Sequence, residues 1–302
     1  MKNQGNCAVK RILTLAAILV AAALSSLSWV SQARAQTFTY VSGTGSDSAD
    51  CASPATACRT FAGALNKVAD GGTVICAGVG TFSSPTITKS VTIDCLAGGG
   101  GTQSVRFIIN APGKIVRLRN IAFSGAGVDS SAAIEIIAAT NVFIENVFVT
   151  GHISNAPGIY DHRAGPAMLV IKNSSITNNS GPGIVIAPAS GTIGVDLQNV
   201  TSAYNSFGLA VGNGGRVTIK NSFFTNNSAA GVEGDPGSFI EVNSSKMAFN
   251  QTGVWSFGST TLSASQIVSN ATAISGATQS YGNNQLVGNT ANGTVPSIVS
   301  SQ

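Results

Sequence analysis

A repeat organises most of the chain, and its clearest copy is VTIKNSFFTNNSAAGV at residues 217–232. In this copy, alternating apolar residues run to Asn221, an apolar residue follows three positions later, and a second Asn stands at 227. The second Asn recurs along the chain at Asn179, Asn205, Asn227, Asn250, Asn270 and Asn289. A repeat of 19 to 26 residues predicts a solenoid, in which each repeat forms one coil and packs against its neighbours.

Each repeat holds three short apolar segments, which is too little chain for a strand and a helix. Three strands per coil fit, so stacked coils would form three parallel sheets around one core. The pattern Val-x-Leu/Ile-x-Asn places aliphatic residues inside and charged residues outside. We expect the corner Asn residues to adopt left-handed backbone and to bond the Asn above and below. The sequence therefore predicts an all-β, single-stranded parallel β-helix of roughly nine coils.

The first 35 residues have the pattern of a secretory signal peptide. Basic residues precede an apolar run at residues 12–24, and Ala-Arg-Ala at 33–35 is a cleavage site, so the mature chain would begin near Gln36. The apolar run is shorter than an ordinary membrane span, and we expect no membrane insertion after cleavage. The protein is predicted to cross the inner membrane and to be periplasmic, cell-surface or extracellular.

Charge excludes one class of partner. Of 16 Lys and Arg residues, four precede residue 36, which leaves 12 against 12 Asp and Glu. A net charge of zero without a basic stripe argues against nucleic-acid binding. No metal-ligand spacing is present, and we predict neither a metal nor another cofactor. The oligomeric state stays open.

Four cysteines follow the predicted cleavage site, which suits disulfides in an oxidising compartment. Of the three possible pairings we expect Cys51–Cys58 and Cys76–Cys95. Residues 74–76 and 93–95 share an alternation one coil apart, and strands stacked at about 4.8 Å come within the Cα separation of about 4.4 to 6.8 Å that a disulfide tolerates. The alternative is four buried free thiols.

Residues 36–58 are predicted to be a capping segment, and residues 59–302 the β-helix domain. Thr60 is a candidate N-cap for an amphipathic helix of about eleven residues that ends at Gly71. Its apolar positions 61, 64, 65 and 68 share one face. This helix is expected to cover the open end of the solenoid.

The repeat Val-x-Ile-x-Asn-x-x-apolar-x-x-Asn is followed by a Gly-aliphatic pair, as at Gly208-Leu209 and Gly231-Val232. Together with the preceding helix, this pattern resembles the right-handed parallel β-helix proteins of the pectate-lyase-like superfamily, over about residues 59 to 295. The segment from Cys51 to Phe61 also resembles small exported bacterial β-helix proteins of unassigned activity. The resemblance therefore implies a fold and no particular activity.

In enzymes of that superfamily, the carbohydrate groove usually runs along the sheet that begins here with the Gly-aliphatic pairs. Aligning these strands predicts one outward row and a second row two residues further on. The first row is Glu135, Tyr160, Val185, Ala210, Glu233 and Trp255. The second row is Ile137, His162, Ala187, Gly212, Asp235 and Phe257.

Two polar groups stand out in these rows. The first comprises Glu135, Asp161, His162 and Arg163 as catalytic candidates beside Tyr160, a set that suits proton abstraction or glycosidic cleavage. It resembles the Tyr, Asp, His and Arg of alginate epimerases, but the longer epimerase motif is absent. The alternative is an ordinary solvated corner.

The second group comprises Glu233, Asp235 and Trp255 beside Phe257. Its aromatic residues could stack on sugar, and its two carboxylates could bind sugar or act as general acid and base. Tyr160, Glu233, Asp235 and Trp255 are therefore the substrate-binding candidates. The aspartates that hold calcium in pectate lyases are missing, as is the polygalacturonase motif set. The alternative for Trp255 is a surface aromatic that covers the C-terminal coils.

Two functions from different classes remain. The first is an exported surface or envelope protein that contacts polysaccharide without turning it over. The second is a carbohydrate lyase, hydrolase or epimerase that uses the group from Glu135 to Arg163. The absence of a complete catalytic motif favours the first.

Overall fold

The structure is a computed structural model that describes residues 36–82, 84–96, 103–104, 106–126 and 131–299. The predicted signal peptide, residues 1–35, lies outside the described residues. The chain from residue 36 onward forms one compact unit. Among the described residues, no helix has both the length and the apolar character needed to cross a membrane.

The described chain opens with strand β1 (Gln36–Val41), a 3-10 turn (Pro54–Thr56) and helix α1 (Phe61–Lys67). The Thr60 hydroxyl accepts a hydrogen bond from the Gly63 amide, which satisfies one of the free donors at the start of α1. Thr60 is therefore the N-cap, as predicted.

The predicted length of α1 is wrong. The helix has 7 residues, because Val68 leaves the helical conformation (φ −71°, ψ 142°) and begins strand β2 (Val68–Cys76). β2 pairs in parallel with β1, so hydrogen bonding to a distant segment overrides the local helical pattern before Gly71. β1 itself lies in the segment assigned to the cap, and it adds a strand to the first sheet ahead of the helix.

The apolar face of α1 packs on the core of the first coils. Phe61, Ala64 and Leu65 are buried. The Phe61 ring centroid lies 4.9 Å from that of Phe82 and 5.0 Å from that of Phe107. The helix thus shields core side chains at the N-terminal end of the solenoid.

The chain winds through three parallel sheets, and each coil contributes one strand to each sheet. Strands are numbered in chain order. Sheet I stacks β1, β2, β5 (Val91–Asp94), β8 (Ile115–Arg119), β11 (Asn141–Glu145), β14 (Ala167–Lys172), β17 (Ile193–Gln198), β20 (Gly215–Lys220), β23 (Phe239–Asn243), β26 (Ser259–Ser263), β29 (Gln279–Ser280) and β32 (Ser297–Ile298). Sheet II stacks β3 (Thr81–Phe82), β6 (Gln103–Ser104), β9 (Ala122–Ser124), β12 (Phe148–Thr150), β15 (Ser175–Thr177), β18 (Thr201–Ala203), β21 (Phe223–Thr225), β24 (Lys246–Ala248), β27 (Gln266–Val268) and β30 (Gln285–Val287). Sheet III stacks β4 (Thr86–Ile87), β7 (Phe107–Asn110), β10 (Ile134–Ala138), β13 (Ile159–Asp161), β16 (Ile184–Ile186), β19 (Phe207–Val211), β22 (Ala230–Gly234), β25 (Thr252–Ser256), β28 (Thr272–Gly276) and β31 (Ala291–Gly293).

Equivalent positions of the repeat stack on one another. In sheet I, Val142 pairs with Val116 on one side and with Leu169 on the other, and none of the three side chains is exposed. Such columns of aliphatic side chains fill the core. The predicted all-β parallel β-helix of about 9 turns with one short N-terminal helix is confirmed.

Both predicted disulfides are present. Cys51 is bonded to Cys58, with 5.0 Å between their Cα atoms, and Cys76 is bonded to Cys95, with 4.5 Å. Cys76 ends β2 and Cys95 directly follows β5, the next strand of sheet I. The second bridge therefore joins two neighbouring coils.

The two Asn positions of the repeat perform different tasks. The first Asn, at the corner between sheets I and II, has left-handed backbone, as at Asn199 (φ 54°) and Asn221 (φ 51°). Asn has an unusually low cost in this conformation because its short side chain bonds locally. Asn221 is exposed, and its side chain has no hydrogen bond to the described residues.

The second Asn forms a buried ladder after sheet II. Each backbone amide donates to the side-chain oxygen of the Asn one coil on, at 2.9 to 3.1 Å. Asn227 also donates from its side-chain amide to Asn250 at 3.0 Å. Here the preceding residue carries the left-handed backbone, as at Asn226 (φ 57°).

The expectation that one Asn supplies both the backbone turn and a bond to the next coil is confirmed at the first position, where left-handed Asn146 donates to Asn120 at 2.6 Å and left-handed Asn199 donates to Asn173 at 2.9 Å. At the second position it is wrong, because the left-handed residue precedes the Asn that forms the ladder.

Glycine precedes the sheet III strands because the chain passes close to the next coil. A Cβ atom on Gly231 would lie 2.7 Å from the carbonyl oxygen of Gly253 and 2.9 Å from the side-chain nitrogen of Asn250. A side chain there would push the backbone away from the Asn ladder.

One coil carries an ion pair in its interior. Asp161 and Arg163 are 0% and 1% exposed, and the Arg163 guanidinium donates to both carboxylate oxygens, from Nε at 3.0 Å and from Nη2 at 2.9 Å. It also donates at 3.0 Å to the carbonyl of Ala139, in the corner between β10 and β11, and to that of Met168, in strand β14 of sheet I. On the two neighbouring coils the position of Asp161 is occupied by isoleucine.

We predict that Asn227→Ala lowers the free energy of unfolding by about 1 to 3 kcal/mol, because buried partners lose their hydrogen bonds. Asn221→Gly is the matched control, since glycine keeps the left-handed backbone and no side-chain bond is lost. Urea denaturation measures both variants. Equal destabilisation of the two variants would contradict the conclusion that the Asn227 side chain contributes buried hydrogen bonds and the Asn221 side chain does not.

Arg163→Met should lower the free energy of unfolding by about 3 to 5 kcal/mol, because it leaves a buried carboxylate without its cation. The double variant Asp161→Ile with Arg163→Met should be less destabilised than Arg163→Met alone, since it restores the isoleucine column. The same denaturation assay tests this. If the losses in free energy of unfolding caused by Asp161→Ile and by Arg163→Met simply add up in the double variant, the two residues are not energetically coupled.

Candidate functional site

The outer face of sheet III carries the predicted row of side chains. Strand pairing joins Glu135 to Tyr160 and, after the intervening Val185 and Ala210, Glu233 to Trp255. Parallel register places all six positions in one line along the stack of coils. The predicted alignment is therefore correct.

The first group of polar residues, here called the charged cluster, comprises Arg106, Glu135, Tyr160 and His162. Glu135 forms an ion pair with Arg106 through Oε2, and its Oε1 lies 3.2 Å from His162 Nε2. The rings of Tyr160 and His162 are stacked with centroids 4.5 Å apart. An acid, an imidazole and a phenol thus meet on neighbouring coils, each with its side chain partly accessible to solvent.

Arg106 was missed because it lies just before β7, outside the strand alignment. The available signal was its place directly ahead of a sheet III strand, on the coil that precedes Glu135.

Asp161 and Arg163 do not belong to this cluster, which corrects the catalytic set expected from sequence. Both are fully buried, so neither a substrate nor bulk water can reach them from the sheet III surface. Burial raises the pKa of the Asp161 carboxyl, and Arg163 opposes this effect. The alternative of a solvated corner is wrong for the same reason. Both residues flank His162, whose backbone amide donates at 3.1 Å to the carbonyl of Ile136 on the preceding coil.

The second group, here called the aromatic–acidic cluster, comprises Phe207, Glu233, Asp235, Trp255 and Phe257. The Trp255 ring lies 6.5 Å from that of Phe207 and 5.4 Å from that of Phe257. Phe257 is exposed, and Glu233 and Trp255 are partly buried. Since β22 separates β19 from β25, the Phe207 and Trp255 rings approach each other above the strand that carries Glu233.

Phe207 was also missed. It occupies the start of β19, where the pairing skips Gly208, so it falls outside the two aligned rows. Its aromatic type beside the glycine was the only signal in the sequence.

Glu233 has an altered acidity. Burial raises its pKa to about 7, and the neighbouring Asp235 carboxylate adds to the effect. Among the described residues, neither carboxyl forms an ion pair. Within that same part of the chain, no group of three or more His, Cys, Asp or Glu residues is placed to hold a metal ion.

A separate groove of about 380 Å³ lies on sheet I. It contains Arg117, whose guanidinium carbon lies 4.7 Å from the Phe143 ring centroid, and the pair Arg119–Glu145 at 3.4 Å. Its charges have both signs and satisfy one another in part.

The raised pKa of Glu233 predicts a pH-dependent stability. Between pH 4.5 and about 7, the folded chain keeps a proton on Glu233 that the unfolded chain has released. The free energy of unfolding should therefore fall as pH rises through this window, by about 1 kcal/mol after allowance for solvent screening at a half-buried carboxyl.

Glu233→Gln should remove this part of the pH dependence, and Glu241→Gln on the sheet I face is the matched control. Thermal or urea denaturation at several pH values measures the difference. Identical pH profiles for wild type and Glu233→Gln would contradict the raised pKa.

Solved structures share this architecture at low sequence identity. A rhamnogalacturonan lyase superposes with a TM-score of 0.60 and 14% identity, over 76% of this chain and 74% of that chain. A pectate lyase superposes with a TM-score of 0.49 and 15% identity, over 87% and 77%. The A-module of a mannuronan C-5 epimerase from Azotobacter vinelandii superposes with a TM-score of 0.45 and 14% identity, over 77% and 91%. At such identities the likeness shows the fold alone.

No curated protein sequence matches the chain. The family model described as right-handed beta helix region matches residues 107–291. This match covers more than half of the 302 residues and agrees with the three parallel sheets. The chain therefore belongs to the right-handed parallel β-helix family.

Proposed function

We propose that this chain is an exported protein that binds polysaccharide on the outer face of sheet III and does not turn it over. The observation that carries the proposal is the aromatic–acidic cluster, in which three aromatic rings gather at the surface of a parallel sheet. Exposed aromatic rings stack on the apolar faces of sugar rings and contribute contact area with little loss of side-chain freedom.

The shape of the face supports a linear ligand. Two coils with small or aliphatic outward residues, Val185 and Ala210, separate the charged cluster from the aromatic–acidic cluster. Tyr160 and Trp255 are four coils apart, which is about 19 Å at the spacing of stacked strands. A short oligosaccharide can span this distance and contact both clusters. The rhamnogalacturonan lyase of the same fold is named for a polysaccharide substrate, which agrees with this class of ligand.

Export is part of the proposal. The predicted signal peptide in residues 1–35 and two disulfides both favour a periplasmic, cell-surface or extracellular location, where thiols are oxidised. Mass spectrometry of the exported chain should find Gln36 at or near its N-terminus.

Trp255→Ala should weaken retention on a polysaccharide that binds the parent protein, by about tenfold if roughly 1.4 kcal/mol of aromatic contact is lost. Phe239→Ala is the matched control, since Phe239 is a 40% exposed aromatic on sheet I. Affinity electrophoresis against a panel of neutral, acidic and amino polysaccharides measures retention. Unchanged retention of Trp255→Ala on every polysaccharide that binds the parent would overturn the proposed site.

A second function, a carbohydrate lyase, hydrolase or epimerase, is favoured by one observation. Glu135 holds His162 at 3.2 Å, and this arrangement of acid and imidazole suits proton transfer. If the protein is an enzyme, His162→Gln should abolish the release of reducing or unsaturated ends while binding is mostly kept. Reducing-end and ultraviolet assays on the same panel decide between the two functions. Turnover that His162→Gln leaves unchanged would exclude the charged cluster as a catalytic site.

A further inference from the structure

We propose that the aromatic–acidic cluster recognises the protonated amine of a hexosamine, so that the ligand of sheet III is an amino-sugar polysaccharide that is at least partly deacetylated. This inference rests on the proposed function and names the chemical class of its ligand.

The aromatic rings form the walls of the site. Phe207 and Trp255 approach each other from opposite sides of β22, with centroids 6.5 Å apart and planes inclined by 23°. Phe257 adds a third ring, 5.4 Å from Trp255 and inclined by 44°. Phe257 is exposed, and Phe207 and Trp255 are partly exposed. A cation that lies against the accessible faces of these rings is attracted by their negative charge density.

Two carboxyl groups lie on the same surface. Glu233 pairs in register with Trp255, and Asp235 follows two residues later on the outward side of the sheet. In the described part of the chain neither has a basic partner. Partial burial and Asp235 make ionisation of Glu233 unfavourable. A bound cation would remove that penalty, because it supplies the missing opposite charge.

The aromatic rings and the two carboxyl groups together favour an organic ammonium ion over calcium, a uronate or a neutral sugar. Calcium prefers about six to eight oxygen ligands, and aromatic rings supply none of them. A uronate would place a further negative charge beside Asp235, would raise the cost of ionising Glu233, and would be repelled. A neutral sugar could stack on Trp255 but would leave the carboxylates uncompensated. A protonated amine on a sugar ring satisfies the rings and the carboxylates together.

The chain offers a direct reporter of this site, because its two tryptophans are Trp29 and Trp255. In the full chain with Trp29→Phe, tryptophan fluorescence reports on Trp255 alone. The probes are a β-1,4-linked glucosamine tetrasaccharide and its fully N-acetylated counterpart, in which an acetyl group on each nitrogen removes the positive charge. Titrations at pH 6 keep the amines protonated, and ionic strength near 0.15 M limits non-specific attraction, since the Debye length is then about 8 Å.

The amino tetrasaccharide should bind at least about tenfold more tightly than the acetylated one, which corresponds to roughly 1.4 kcal/mol. Glu233→Gln combined with Asp235→Asn should abolish this preference, measured as the ratio of the two affinities within the same variant. Glu241→Gln is the matched control, because it removes one carboxylate from the sheet I face and should change neither affinity.

Three outcomes would overturn the inference, and they differ in what else they affect. Equal affinity for both probes, sensitive to Trp255→Ala but not to the carboxyl variants, would remove the amine preference and leave the proposed sugar-binding function intact. Loss of the preference in Glu241→Gln as well would show general charge attraction instead of a site. Failure of both probes and of the whole polysaccharide panel to bind would overturn the proposed function together with this inference.

Discussion

Parallel hydrogen bonding between neighbouring coils is the constraint on which the rest of this structure depends. Each inner coil donates to and accepts from both of its neighbours, as Ile159 donates to Gly183 on one side and His162 donates to Ile136 on the other. Most backbone polar groups of the strands are therefore satisfied by the backbone of the neighbouring coils. The same bonding forces equivalent residues into lines along the stack. Inward lines must be apolar to fill the core, as the Val116, Val142 and Leu169 column is. Outward positions are not constrained by core packing, so their side chains can be polar or aromatic and can contact a ligand.

The corners hold the coils in this arrangement, and the two Asn positions stabilise them by different means. The buried ladder at Asn227 and its equivalents bonds one coil to the next, whereas Asn221 lowers the strain of a tight turn in its own coil. Arg163 stabilises the passage from sheet III to sheet I, because its guanidinium donates to the carbonyls of Ala139 and Met168. The buried pair of Asp161 and Arg163 comprises the two chain neighbours of His162, so its hydrogen bonds restrain the backbone on both sides of a residue of the charged cluster.

The outer face of sheet III differs from that of sheet I in how its charges are compensated. On sheet I, cations and anions alternate on neighbouring coils, and Arg119 and Glu145 satisfy each other. On sheet III, Glu135 is compensated by Arg106 and His162, while Glu233 and Asp235 interact with each other and, among the described residues, have no basic partner. An uncompensated pair beside exposed rings costs free energy in the isolated protein. Such a local cost at a surface is typical of a site that gains stability when a ligand binds.

The sequence by itself determined every feature that depends on spacing along the chain: the coil period, the inward columns, the pairing of the four cysteines and the outward row from Glu135 to Trp255. These follow from one repeat, because parallel stacking converts equal spacing into equal position. Only the tertiary structure decided that α1 ends at Lys67, that Asp161 and Arg163 turn inward, and that Arg106 and Phe207 join the two surface clusters. Each of these depends on contacts between residues of different coils, or on the direction of a side chain where the strand register is interrupted. No local pattern encodes such contacts, since the competing pairings of Val68 and the burial of Asp161 are settled by the free energy of the whole packed coil.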